Sequence, residues 1–264
     1  MMGNKQPQPR IILFGASLTQ WSFREETSGF GWTFKQRYAG KAEVVNEGKA
    51  GYTSTTLNPE FERVLQEIKA PNAPRTLFIT ILVGANDACI IGPNGEEYCP
   101  LSEFEENIRN WVDSILVEDK LSATKILLIT PPPLDISNPP YPDKVDLEVA
   151  KAGRGYLTYL NKKRYAEKVM EIARSYEHTG FVAGADIWTA LIETALEEQG
   201  RLDKPDAFDP EMLPGCGLPK AKCFGTGYFT DGLHFGKLGY EVVTRELTKV
   251  ISTNWPEVLP EALK

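Results

Sequence analysis

Residues 11–21 read IILFGASLTQW: four apolar residues stop at a glycine, and the hydroxyls of Ser17 and Thr19 follow at once. A serine hydroxyl is a weak nucleophile until an imidazole takes its proton. The imidazole in turn needs a carboxylate to fix its tautomer and stabilise its charged form. The chain holds two histidines. His178 follows Glu177 at the end of a helical pattern and has no other signal around it. His234 stands in DGLHFGKLGY, three residues after Asp231 in a glycine-rich stretch. A DxxH spacing can bring both side chains to one side of a turn. Ser17 is therefore the candidate nucleophile, His234 the candidate base and Asp231 its candidate partner, in the chain order Ser, Asp, His.

Acyl transfer also needs donors aimed at the oxyanion that develops. NEGKAGYTS at 46–54 contains Gly51, and VGANDA at 83–88 contains Asn86 and Asp87. The side-chain amide of Asn86 and the backbone N–H groups of Ser17 and Gly51 would serve, and glycine at 51 lets the backbone approach a substrate closely. Taken singly, each residue has a plainer role. A serine after a strand more often caps a helix. Gly51, Asn86-Asp87 and Asp231-Gly232 are ordinary turn residues, and a lone histidine is more often structural. The coincidence of four such segments, in order, points to a hydrolase site.

These segments need a common edge. Short, β-branched, nearly continuous apolar runs at 10–14, 42–46, 76–83, 125–130 and 181–183 read as strands buried on both faces. Helical patterns lie between them, at 102–119, 155–176, from about 186 and at 237–252. This alternation predicts an α/β fold in which a mainly parallel five-stranded sheet is flanked by helices in three layers. Ligands bind beyond the carboxyl ends of such strands, where Ser17, Gly51 and Asn86 fall. No repeat or linker divides the chain, so a single domain over 1–264 is expected, with 1–9 as a tail. Two stretches, 131–146 and 200–230, are rich in proline and glycine and would wall a pocket.

Composition narrows the class. The chain has 264 residues with 42% hydrophobic and 25% charged content, enough for a sizeable core, and a net charge of −7. Its longest basic run is KKR at 162–164, so no phosphate-binding face and no nucleic-acid partner is expected. No segment approaches about 18 consecutive apolar residues, so no membrane span is expected. The start MMGNKQPQPR lacks the apolar centre of a secretory signal, and a cytoplasmic location is the expectation; an exported form with its signal removed would read the same way. Cys89 with Cys99 and Cys216 with Cys223 form local pairs without CxxC spacing, so neither a metal nor a redox cofactor is expected. A loop disulfide in each pair is the alternative in an oxidising compartment. Oligomeric state is left open.

The set Ser17, Gly51, Asn86 and His234 resembles the SGNH hydrolase superfamily, also called GDSL esterases and lipases. FGASLTQ, NEGKAGYTS, VGANDA and DGLHFGKLGY are similar to its sequence blocks. GFGWTFKQRY, ITPPPLD and GADIWTAL extend the likeness toward the isoamyl acetate-hydrolysing esterase group. The resemblance implies a flavodoxin-like three-layer α/β/α fold and metal-independent hydrolysis of small-molecule esters, short acyl esters such as acetyl above all. It implies Ser17 as nucleophile, His234 as base, Asp231 as its partner, and Ser17, Gly51 and Asn86 as oxyanion donors. The wider α/β-hydrolase pattern G-x-S-x-G would need glycine at position 19, where Thr19 stands. One departure is Ala16, where the GDSL block has aspartate. The same acyl-enzyme could pass its acyl group to an alcohol, as an acyltransferase, and Ala16 raises the alternative of a binding module with a relict site. Trp21, Phe23, Tyr141, Tyr156 and Phe229 are candidate pocket walls, with core packing as the plainer role of each.

Overall fold

The computed structural model describes residues 7–92, 95–136 and 147–263. In chain order the elements are β1 (Arg10–Gly15), α1 (Ser17–Gln20), α2 (Phe30–Arg37), β2 (Glu43–Gly48), α3 (Ser54–Lys69), β3 (Thr76–Leu82) and α4 (Leu101–Leu116). Then come β4 (Lys125–Ile129), α5 (Leu147–Lys151), α6 (Arg154–Ser175), β5 (Val182–Ala185), α7 (Ile187–Glu198) and α8 (Lys237–Asn254). The strands form one sheet in the order β2-β1-β3-β4-β5. Every neighbouring pair is parallel, so the sheet is wholly rather than mainly parallel. The expected strands and helices agree with these bounds to within two or three residues.

Side chains alternate across β1, as the pleat requires. Ile11 and Leu13 face a core built with Phe30 and Phe34 of α2, Leu191 of α7 and Val243 and Leu247 of α8. Ile12 and Phe14 face the other core, with Leu57 and Phe61 of α3, Ile108 and Trp111 of α4 and Val169 of α6. Helices thus cover both faces of the sheet. Phe61 and Trp111 stack at 5.3 Å between ring centroids, and Phe14 meets both edge-on. Such pairs add about 0.5–1.5 kcal/mol each beyond buried area. They anchor the last side chain of β1 before the Gly15-Ala16-Ser17 corner.

Helices α1, α2 and α5 lie outside the expected set, and so does the long α3, which contains Pro59. Its signal was nevertheless present: Leu57, Phe61, Val64, Leu65 and Ile68 form a buried stripe at helical spacing. Thr53 caps it, exchanging hydrogen bonds with Thr56 in a capping box. β2 lies on one side of β1 and β3 on the other. The chain therefore reverses direction across the sheet at β1, and a crevice opens where the loops after β1, β2 and β3 leave.

Candidate active site

Ser17 opens α1, but it does not cap it. The cap position is Ala16, and no side chain caps this helix. The Ser17 hydroxyl lies instead 2.9 Å from Nε2 of His234, 217 residues away. Ser17 is buried and α1 is held from both ends. The Leu18 carbonyl accepts a hydrogen bond from the Tyr240 hydroxyl on α8 at 3.1 Å. The Gly15 carbonyl accepts one from the Lys49 N–H at 2.9 Å.

His234 sits in a closed turn between Phe229 and Phe235, which pair as an antiparallel bridge. The N–H and hydroxyl of Thr230 both donate to the His234 carbonyl, at 2.7 and 3.0 Å. Inside the turn Oδ1 of Asp231 accepts from the N–H groups of Leu233 (3.0 Å) and His234 (2.8 Å). Oδ2 lies 2.6 Å from Nδ1 of His234. An ionised carboxylate can only accept, so Nδ1 carries the proton and Nε2 is left to accept from Ser17. Burial pushes the Asp231 carboxyl up, but the hydrogen bonds from His234 and Leu233 outweigh it and hold it below the ordinary aspartate value. Gly232 makes the corner at φ +84°, and a Cβ there would lie 2.5 Å from the Asp135 carbonyl. Its own carbonyl accepts from the Asp135 N–H at 2.8 Å, so the PPPLD segment after β4 backs the turn. The indole of Trp21 lies over the imidazole with ring centroids 3.9 Å apart and a 48° tilt, and the Arg24 guanidinium lies over that indole at 4.8 Å.

The other two loops are joined to each other and to α1. Nδ2 of Asn86 donates to the Tyr52 carbonyl at 2.7 Å, next to Gly51. Gly51 has φ +81° with nothing within 4 Å of a hypothetical Cβ, so backbone conformation and not space calls for glycine there. Oδ1 of Asp87 accepts from the Ser54 N–H at 2.7 Å and Oδ2 from the Gly84 N–H at 3.2 Å. Asp87 is completely buried, and desolvation raises its carboxyl above the ordinary value against the pull of these bonds. Gln20 ties the loop after β2 to α1: its Oε1 accepts from the Ala50 N–H at 2.8 Å and its carbonyl from Nδ2 of Asn46 at 3.0 Å.

Ser17, Asp231 and His234 are thus in one hydrogen-bonded chain, and in the adjoining loops Asn86 is bonded to Tyr52, the residue after Gly51. Asp87, Gln20 and Tyr52 escaped the sequence reading as positioning groups, although all three lie inside the quoted motifs. His178 lies in a turn at the opposite, amino end of β5. Of the candidate pocket walls, Trp21 borders the site. Phe23, Tyr156 and Phe229 instead pack on the hydrophobic core, and Tyr141 lies outside the described residues. All four cysteines are free thiols, so neither loop disulfide is formed. Among the described residues no group of three His, Cys, Asp or Glu side chains could hold a metal. Among them, too, no helix is long and apolar enough to cross a membrane.

The model of the GDSL-like lipase/acylhydrolase family matches residues 11–247. The chain belongs to this family. It is similar to a GDSL esterase/lipase of Arabidopsis thaliana, 28% identical over 92% of this chain, and spans 64% of that protein's length. It is also similar to the isoamyl acetate-hydrolyzing esterase 1 homolog of Rattus norvegicus, 26% identical over 96% of this chain and 86% of the relative. The fold matches that of a lipase/acylhydrolase from Enterococcus faecalis, with a TM-score of 0.57, 18% identity and coverage of 97% and 98% of the two chains.

Proposed function

We propose that this GDSL esterase cleaves its substrates through an acyl-enzyme on Ser17, with short acyl groups, acetyl first, as the preferred class. The observation that carries the mechanism is the unbroken chain from Ser17 Oγ to His234 Nε2 (2.9 Å) and from His234 Nδ1 to Asp231 Oδ2 (2.6 Å). As Ser17 attacks the ester carbonyl, its proton passes to Nε2, and the imidazolium is held by the Asp231 carboxylate on one side and the Trp21 indole on its face. The carbonyl oxygen gains charge and is met by the second N–H of the Asn86 amide, whose first N–H is fixed on Tyr52, and by the backbone N–H groups of Ser17 and Gly51. Each such donor is worth about 10²–10³ in turnover. His234 then returns the proton to the departing alkoxide, and water repeats the sequence to release the acid. The Ala16 methyl can make none of these hydrogen bonds; α1 is held by the Tyr240 hydroxyl and the Lys49 N–H, and the Ala16 carbonyl accepts from the Gln20 N–H at 2.9 Å.

The acyl preference is supported by the relatives named as isoamyl acetate-hydrolyzing esterases. Hydrolysis of p-nitrophenyl esters from acetate to dodecanoate, by the wild type and by Ser17→Ala, tests both parts. The wild type should cleave acetate fastest, and Ser17→Ala should lose turnover by at least about 10³ while remaining folded. Activity retained in Ser17→Ala refutes the acyl-enzyme, and a maximum at long chains refutes the acyl preference. Product analysis with added alcohol separates hydrolysis from acyl transfer.

A further inference from the structure

Lys162 lies in the basic run at 162–164, yet it is completely buried, while its neighbour Arg164 is exposed. Its ammonium nitrogen has no hydrogen-bond partner among the described residues. α6 meets the segment that follows β3 through side chains on either side of it. Nδ2 of Asn161 donates to the Ala88 carbonyl at 3.0 Å, the Thr158 hydroxyl accepts from the Ile90 N–H at 3.3 Å, and the Tyr165 hydroxyl donates to the Cys99 carbonyl. Lys162 belongs to that seam. The titratable groups that act on it are the Cys89 thiol and the Asp87 carboxylate, both on the segment that carries Asn86. Tyr165, on its own helix, is committed to Cys99. A methionine would fill the same space without desolvating a charge.

Asp87 explains what the charge is for. Its two oxygens join the Ser54 N–H, beside the Gly51 loop, to the Gly84 N–H at the exit of β3. A buried carboxylate holds those donors best while ionised, and an ionised carboxylate with no solvent needs a balancing charge. We propose that Lys162 is a positioning residue for the oxyanion hole, the buried counter-charge that keeps Asp87 ionised and so keeps the Gly51 and Asn86 loops in register. The proposal rests on the oxyanion roles proposed above. Burial lowers the Lys162 amine from its ordinary value to about 8, so the counter-charge is present at neutral pH and is lost as pH rises through that value.

Lys162→Met tests it. The expected result is a folded variant with kcat lowered about tenfold, KM within about twofold, and no decline of kcat above pH 8 where the wild type declines. Leaving Asp87 without its counter-charge destabilises the fold as well, so thermal unfolding at pH 7 should come earlier than the wild type's. Wild-type kcat together with a wild-type alkaline decline overturns the proposal, as does unfolding at the wild-type temperature. A second measurement does not depend on activity or on that variant folding. In ¹³C-lysine NMR of the wild type, one side chain should titrate well below the others, and Asp87→Asn should move its midpoint to lower pH. A midpoint that does not move in Asp87→Asn overturns the coupling. If Ser17→Ala stays active, the acyl-enzyme fails while this titration still reads the Lys162–Asp87 pair.

Discussion

Replacing Asp231 with Asn keeps its shape and removes its charge, and the geometry of the turn makes this worse than deleting the side chain. In the wild type Oδ1 accepts two backbone N–H groups, at 3.0 and 2.8 Å, while Oδ2 takes the imidazole N–H at 2.6 Å. A carboxamide has one accepting end and one donating end. With its oxygen toward the two N–H groups it keeps both bonds and aims its NH₂ at Nδ1. The reverse orientation forfeits both, at about 1 kcal/mol each. About 2 kcal/mol in total favours the first orientation by about 30-fold, at 1.36 kcal/mol per decade. Nδ1 must then accept, the ring proton moves to Nε2, and Nε2–H faces Ser17 with no lone pair to take its proton. Asp231→Ala leaves both tautomers to solvent. We expect kcat/KM on p-nitrophenyl acetate to fall by about 10³–10⁴ in Asp231→Asn and by at least about tenfold less in Asp231→Ala. Both variants should show wild-type circular dichroism. An Asn variant as active as the Ala variant, or more active, refutes the tautomer argument.

Three further outcomes follow from the same geometry. Gly232→Ala places a Cβ at 2.5 Å from the Asp135 carbonyl in a left-handed conformation; we expect a loss of about 1–3 kcal/mol, read as a fall of several degrees in Tm, with kcat reduced as the His234 turn shifts. Gln20→Ala removes the acceptor of the Ala50 N–H; kcat should fall about tenfold with KM little changed, because an oxyanion donor is loosened and not lost, and a fluorophosphonate probe should still label Ser17. The Asp231 carboxyl is held below its ordinary value of 3.8 in the folded chain. Its contribution to stability is therefore present above the unfolded-state value and fades as pH falls through the folded one. The Tm difference between the wild type and Asp231→Ala should hold steady from pH 7 to about 5 and narrow below about 4.

The local sequence carried the layers and the list of candidate groups. Apolar runs of five or six residues alternating with helical stripes fix strands buried on both faces, and the order of the strands then fixes which loops share an edge. Ser17, Gly51, Asn86, Asp231 and His234 were legible because each lies in a short motif at a strand end or turn. Their relation was not. Whether Ser17 caps a helix or meets an imidazole depends on a residue 217 positions away, and no local pattern encodes that distance. The same limit applies to Phe23, Tyr156 and Phe229, whose aromatic rings suit a pocket or a core equally well until neighbours surround them. Lys162 is the sharpest case. Its basic neighbours suggest a solvated face, but it shares a buried stripe with Thr158, Tyr165 and Val169 at helical spacing. The sequence by itself determined which groups are available and which elements carry them. Only the tertiary structure decided which groups meet, because hydrogen bonds across the crevice and the loss of water around a side chain are set by elements distant in the chain.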